Sequence, residues 1–337
     1  MISVIIPCYN GEKYIDRCFS HLECQTIGIE NLQIIVVDDA SHDKSYSKLM
    51  RWKMKYPNSI NIIRLKVNGL QGHARNIALK YCTKKYIAYV DIDDYILPET
   101  FEKAYKVAEK SGAEIVKYLF SMSGKIHPRV KEDQFFEIHT KQDRIDLFMN
   151  ESLVRGCWDK LFRRDFVEKY NLEFAEGVYD EESLFTTPAY LNFTKIYFLN
   201  EQLYVYYQNP NGSTQKCLLN KNHVKDNAKT WEKTYNKLKD NPNQELLEWF
   251  VAVNYFIRTI LLSAARGTPC TISELHEMQN NMKSWFPNLK DNQCFKYKAI
   301  YSEFLRLIDI EVSELNYYQY NEALKIIINN FPSDNNT

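Results

Sequence analysis

Neither sign of charge predominates in these 337 residues: Lys+Arg and Asp+Glu each number 43. Nothing therefore drives general attraction to a phosphate backbone, and no nucleic-acid partner is expected. No run of about 18 residues is free of charge, the length a membrane-spanning helix needs. The most apolar late segment, "LLEWFVAVNYFIRTILLSAA", carries Glu248, Asn254 and Arg258 and reads as a buried helix. The opening "MISVIIPCYN" is short and lacks the charged n-region of a signal peptide. The eight cysteines contain no CxxC pair and no regular spacing. That excludes a disulfide framework and a structural zinc site, and fits reduced thiols in a cytosolic protein. The seven histidines form no HxxxH or HExxH pattern, and there is no internal repeat.

What is present is ordinary for a soluble globular chain: 45% hydrophobic and 26% charged residues. The length allows one large domain or two moderate ones. Four short, β-branched runs stand in the first hundred residues: "ISVII" (2–6), "QIIVVDD" (33–39), "INIIRL" (60–65) and "YIAYVD" (86–91). Their continuous apolar character suits strands covered on both faces. Helical patterns fill the gaps. In the first, Tyr14, Ile15, Cys18, Phe19 and Leu22 share one face. This alternation predicts an α/β fold with a mostly parallel, doubly wound sheet and helices on both faces. After residue 113 the rhythm changes. "EIVKYLF" reads as a strand, residues 140–150, 162–170 and "DEESLFTTPAYL" as helices, and "KIYFLN" and "QLYVYYQ" as two strands around "EQ". From about 221 the pattern is helical, with breaks at Pro242 and Pro287, and residues 331–337 are expected to be a disordered tail.

The stretch "KKYIAYVDIDDYILPE" ends a buried-looking strand in three carboxylates, Asp91, Asp93 and Asp94. Two readings stand at this point: an acidic polar turn, or carboxylates whose repulsion is relieved by a hard divalent cation. In open α/β sheets the ligand lies beyond the carboxyl ends of the strands. Three polar clusters fall there: "PCYNGE", "VDDASHD" with Asp38 and Asp39, and "DIDD". Ser41 or Asp43 also suits a helix cap.

These segments, together with "GHARNIAL", "CWDKLFRRDF" and "YDEESLF…KIYFLNEQLYVYYQNPNGS", resemble the nucleotide-sugar glycosyltransferases of family 2, which have the GT-A fold. The resemblance covers roughly the first 215 residues, in order. It implies that Asp38 and Asp39 sit at the nucleotide, with Asp39 reading the pyrimidine base. Pro7, Tyr9 and Asn10 would line the nucleoside pocket, and Gly72, Arg75 and Asn76 would open a helix beside it. Asp91 and Asp93 would form the DxD motif. Asp93 would bind Mn²⁺ or Mg²⁺, Asp91 would reach ribose or metal, and Asp94 would shape the turn. The acidic pair is Glu181-Glu182, with Phe185 following in the expected place, and Glu182 would be the general base. Trp158 and Lys160 would lie on the acceptor side. By residue type alone, Tyr9 and Trp158 can equally pack, Arg75 can be a surface residue, and Glu182 can be a first-turn acid favoured by a helix dipole. His73 is read as structural. Three departures from the family pattern stand out: Ala40 in place of Gly, His42 in place of Thr, and Glu182 in place of Asp.

The expected organisation is a GT-A-like catalytic domain over 1–215, with a nucleotide half at 1–112 and an acceptor half at 113–215. A helical region over 216–330 follows it. The implied activity is inverting, metal-dependent transfer of one sugar from a nucleotide donor, UDP-linked, to a hydroxyl of a glycan or lipid-linked glycan. The signature and spans of processive synthases are absent. The helical region is read as core or docking face, as an acceptor-binding or homodimer-forming module, or as a surface resting peripherally on the inner face of a membrane. Two rivals remain. One is a degenerate relative that binds nucleotide or partner without turnover. The other is a sugar-phosphate nucleotidyltransferase, which normally opens with a Gly-rich phosphate loop, whereas residues 7–13 hold only Gly11.

Overall fold

The structure is a computed structural model. It describes residues 1–127, 132–150, 155–210, 223–265, 269–297 and 299–310, together with 212, 216, 312, 313, 320 and 324. The expected tail, 331–337, lies outside the described residues, as does much of 311–330. The chain divides into two compact units. The first is Met1–His139 with Arg155–Lys216, and the second is Thr140–Val154 with Cys217–Thr337.

The first unit is built on one sheet. Its strands are β1 (Ile2–Cys8), β2 (Leu32–Asp38), β3 (Ile60–Arg64), β4 (Tyr86–Tyr89), β5 (Tyr95–Ile96), β6 (Ile115–Met122), β7 (Lys125–His127), β8 (Gln134–Glu137), β9 (Lys160–Arg163) and β10 (Lys195–Tyr206). The order is β3-β2-β1-β4-β9-β6-β10-β5, with β7 on β6 and β8 on β10. Pairing is parallel from β3 to β4, as the alternating pattern predicts. Beyond β4 the sheet is mixed: β9 runs antiparallel to both β4 and β6, while β6 and β10 are parallel. The apolar runs of β1, β2 and β4 are almost wholly buried, with Val4, Ile5, Ile6, Ile34, Val36 and Val37 at 0% exposure. Burying each such side chain contributes about 1.5–3 kcal/mol.

Three helices connect the parallel strands: α1 (Ile15–Glu23), α2 (Ser45–Lys55) and α3 (Leu70–Leu79). The chain steps β1, β2, β3 in one direction and then returns to place β4 on the other side of β1. Right-handed crossovers put α1 and α2 on one face of the sheet and α3 on the opposite face. A crevice therefore opens between the carboxyl ends of β1 and β4, where the direction of winding reverses. Further along lie α4 (Thr100–Ser111), α6 (Arg164–Lys169) and α7 (Ser183–Asn192), while α5 (Lys141–Asn150) belongs to the second unit.

Several local expectations are corrected. Residues 162 and 163 are the end of β9 rather than the start of a helix, because Leu161 and Phe162 pair with both β4 and β6 in the sheet interior. The helix expected from Asp180 begins at Ser183, since Asp180 and Glu182 are engaged by the turn described below. The two strands expected around "EQ" are one strand, β10, in which register shifts near Gln202 absorb the polar residues.

In the second unit, α5 packs Phe148 edge-on to Phe250 at 5.2 Å, Lys141 pairs with Glu245 at 2.5 Å, and Tyr297 donates to Asp146 at 2.7 Å. These contacts explain why 140–154 groups with the C-terminal segment and not with 113–215. Helix α8 (His223–Leu238) buries Val224, Trp231 and Leu238 along one stripe. Then α9 (Gln244–Val251), a π-helical turn (Ala252–Ile257) and α10 (Arg258–Ala265) run on without a break. Gln244–Ala264 is the one helix among the described residues long and apolar enough to cross a membrane. Yet 61% of its apolar window is buried, as in the core helix of a globular unit. Helix α11 (Ile272–Trp285) starts on a Thr271–Glu274 capping box, and α12 (Ala299–Asp309) follows.

Candidate active site

The loops after β1 and β2 are sewn together by main-chain donors. Asn10 N donates to Ser41 Oγ at 2.9 Å, Gly11 N to Ser45 Oγ at 2.8 Å, and His42 N to Asn10 Oδ1 at 2.9 Å. Asn10 and Ala40 both sit in the left-handed region, at φ 49° and 61°. Asparagine tolerates this region; alanine pays about 1–2 kcal/mol there, which is why glycine suits the position. Asp38 is fully buried: Oδ1 accepts from Ser41 N at 3.2 Å and Oδ2 lies 3.3 Å from Arg64 Nε. Asp39 is also buried and accepts from Gly69 N at 2.8 Å. Burial raises its pKa, and the Gly69 and Leu70 amides oppose that rise. Pro7 is half-buried within β1, whereas Tyr9 is exposed, edge-on to His42 with Lys216 Nζ 5.6 Å from its ring.

Helix α3 approaches the 174–181 segment closely. A Cβ on Gly72 would stand 2.1 Å from the Ala175 carbonyl oxygen, so only glycine permits the contact. Asn76 fixes the same segment, donating to the Phe174 carbonyl at 2.9 Å and accepting from Phe174 N at 2.8 Å. His73 lies 3.0 Å from Glu176. The resemblance implies that Gly72 and Asn76 open a helix beside a nucleotide; in the structure both also pack against this segment. Arg75 is 3% exposed and bridges two carboxylates: Nη2 meets Asp91 at 2.7 Å and Nη1 meets Glu181. Its guanidinium lies 5.2 Å from the Phe174 ring, and Gln71 adds a 3.1 Å bond to Glu181. Arg75 is thus an interior residue. Burial pushes Glu181 up to about 8, with Arg75 opposing the shift and Glu182 adding to it.

The turn after β4 separates its carboxylates by task. Asp94 is 1% exposed and accepts from Tyr204 Oη and Tyr207 N, both at 2.7 Å. Asp93 is half-buried and accepts from Asn209 Nδ2 at 2.7 Å, while Asn209 Oδ1 accepts from Tyr14 Oη at 3.1 Å. Arg17 donates to the Asp93 carbonyl and lies 4.6 Å and 5.1 Å from the rings of Tyr207 and Tyr95. Burial, then the charge of Asp91, raises the pKa of Asp93. No group of three His, Cys, Asp or Glu side chains able to hold a metal gathers among the described residues. Two carboxylates with partly open faces, one of them electrostatically strained by the other, still fit a hard divalent ion that takes its remaining ligands from phosphates and water.

The acidic pair meets a second turn, residues 155–160. Glu182 stands immediately before α7, half-buried, and Oε1 accepts from Cys157 N at 3.0 Å. Burial raises its pKa, while the Arg75 charge and the Cys157 amide oppose the rise. Asp180 accepts from Arg155 Nη1 at 3.1 Å, and the same nitrogen donates to Ser183 Oγ at 3.0 Å. Trp158 is 8% exposed, stacked on Tyr204 at 4.9 Å and edge-on to Phe120 at 4.6 Å. Lys160 is expected on the acceptor side, but its side chain is fully enclosed, bound to the Gly156 carbonyl at 2.5 Å and to Asp159. Arg17, Tyr14, Asn209, Cys157 and Arg155 carry no role at the site in the sequence reading. "NPNGS" and "CWDKL" are visible there as segments, but nothing in them says which atom meets which carboxylate.

Residues 3–170 match the family described as Glycosyl transferase family 2. The chain is 28% identical over 221 residues to the protein of Bacillus subtilis (strain 168) described as "Uncharacterized glycosyltransferase EpsJ", covering 64% of this chain and 63% of that one. It is 33% identical over 196 residues to a poly(ribitol-phosphate) beta-glucosyltransferase of Bacillus spizizenii, covering 58% and 30%. The chain therefore spans less than two thirds of the length of these relatives. Among solved structures, S. aureus TarS 1-349 in complex with UDP-GlcNAc superposes with a TM-score of 0.66 at 20% identity, covering 94% of this chain and 91% of that one. At that identity the likeness shows the fold: a GT-A fold with a mixed sheet, helices on both sides and a helical C-terminal part. Through residues 3–170 the chain belongs to glycosyl transferase family 2.

Proposed function

We propose that this protein transfers a single sugar from a UDP-sugar to a hydroxyl of a glycan or polyol-phosphate polymer, with inversion, on the cytoplasmic side. The observation that carries the reading is Arg75. One buried guanidinium holds Asp91, two residues from Asp93, and Glu181, next to Glu182. The turn suited to a nucleotide diphosphate and the acid pair suited to proton transfer are thereby fixed to one point.

In this reading Tyr9 and the Asp39 carboxylate hold the nucleoside. Asp93, with Asp91, would hold Mn²⁺ or Mg²⁺, which supplies neutralisation of the charge on the departing diphosphate. Glu182 accepts the acceptor hydroxyl's proton as its oxygen bonds to the anomeric carbon, and the bond from that carbon to the diphosphate oxygen breaks on the opposite face. Burial supports Glu182 in this role, since a carboxylate of raised pKa is a stronger base than one in water. The poly(ribitol-phosphate) named for one relative suggests the class of acceptor.

Asp93→Asn tests the donor half. It keeps the shape and removes a charged ligand, so UDP binding measured by calorimetry should lose its Mn²⁺ dependence. Transfer should fall about 10²-fold or more. Full Mn²⁺-dependent binding in this variant would remove Asp93 from the site.

A further inference from the structure

The geometry points to Lys160 as a positioning residue for this transfer: its ammonium holds the carbonyl of the Gly156–Cys157 peptide group, and the N–H of that same group holds Glu182. The inference rests on the reading of Glu182 as the base. Lys160 Nζ to Gly156 O is 2.5 Å, and Cys157 N to Glu182 Oε1 is 3.0 Å. The two bonds sit on opposite ends of one planar trans amide, whose C=O and N–H point in opposite directions. A cation at the oxygen polarises the amide and strengthens its N–H as a donor. The positive charge of Lys160 thus reaches the carboxylate of Glu182 through the main chain.

The rest of the turn is arranged around this link. Tyr118 Oη donates to the Trp158 carbonyl at 3.0 Å, and Tyr118 N to the Asp159 carbonyl at 3.0 Å, so β6 anchors the turn on one side. Arg155 ties the other side to Asp180 and Ser183, which flank the acid pair. Lys160 and Asp159 are both at 0% exposure, which leaves the ammonium no route to an acceptor sugar. Asp159 Oδ2 is moreover buried without a hydrogen-bond partner. A buried ion pair with an unsatisfied oxygen is a poor way to stabilise a fold, and an apolar pair of similar volume often does as well. What an apolar pair does not supply is the cation on the Gly156 oxygen.

The test is a double-mutant cycle read by UDP release, with water in place of an acceptor and the donor chosen as the UDP-sugar from which the wild type releases UDP fastest. Lys160→Met alone strands the Asp159 charge, so the working variant is Asp159→Asn with Lys160→Met, which removes both charges. Its folding is confirmed by thermal melting and by UDP affinity. The expected result is a fall of about 10- to 100-fold in the single-turnover rate, the scale of a misplaced catalytic group, with KM for the UDP-sugar unchanged. In the Glu182→Gln background the same two substitutions should change the rate by less than about twofold, because the group they act through is already disabled. An unchanged rate in the working variant would return Lys160 to a purely structural role and overturn the inference. An equal fall in both backgrounds would show general damage and overturn the inference. Should Glu182→Gln alone release UDP at the wild-type rate, the assignment of the base fails first, and that outcome is distinct from the other two.

Discussion

The turn at Asp91–Asp94 and the segment at Asp180–Glu182 are built alike and held differently. Each offers three carboxylates. In each, one is engaged by the scaffold: Asp94 by Tyr204 and Tyr207 N, Asp180 by Arg155. One from each meets Arg75, namely Asp91 and Glu181. One from each is held by a neutral amide, Asp93 by the Asn209 side chain and Glu182 by the Cys157 main chain. The difference lies in that last donor. A side chain on the segment after β10 can turn away when a ligand needs the oxygen, whereas a peptide group pinned at its other end cannot. Asp93 is poised to change partners, and Glu182 is poised to stay in place.

Arg75→Met should break the comparison at its root. It leaves Asp91 and Glu181 without their shared cation, so denaturant unfolding should show a loss of about 3–5 kcal/mol, with transfer abolished. Glu182→Gln attacks one side only. The rate should fall roughly 10²–10⁴-fold while UDP affinity by calorimetry holds, since the nucleotide contacts proposed above lie elsewhere. Glu181→Gln should cost much less in rate but should alter the pH dependence of stability. The folded state holds the Glu181 proton up to about 8, well above an unfolded Glu. Between those values the native protein binds more protons than the unfolded chain, so the stability contribution is fully present at low pH and is lost as pH rises through 8. Melting temperatures should therefore decline from pH 5 to 8 in the wild type and less so in Glu181→Gln; parallel profiles would place the proton elsewhere. Asp180→Asn should do least, under about 1 kcal/mol in melting experiments, because its pair with Arg155 is partly open to solvent.

Much of the first unit was legible because its signal is local. Continuous β-branched runs mark β1, β2 and β4, and the polar clusters after them follow from how such sheets end. The α/β class was readable for the same reason, and the GT-A class through the resemblance of these segments to family 2. What sequence could not show was which polar atom meets which. Arg75 finds its partners 16 and 106 residues away, and a lone arginine on a helix reads as exposed. Lys160 illustrates the same limit, since lysine is among the residues least often buried and its partner is a backbone carbonyl with no letter of its own. The grouping of 140–154 with the C-terminal helices depends on ring contacts such as Phe148 with Phe250, across a hundred residues of intervening chain. The mixed half of the sheet escaped because β9 and β7 are only four and three residues long, too short to show a period.

The amide that holds Glu182 also sets how this stretch of chain is free to drift over generations. A donor supplied by the main chain survives replacement of Cys157 by any small residue that fits its buried site, but not by proline, which has no N–H to give. The neighbouring position has no such latitude: a Cβ on Gly156 would fall 2.7 Å from Trp158 Nε1 and push the indole off Tyr204. Two adjacent residues that supply the two halves of one peptide bond thus carry opposite evolutionary constraints. A survey of natural variants should find 157 open to small residues that fit its buried site but closed to proline, and 156 confined to glycine.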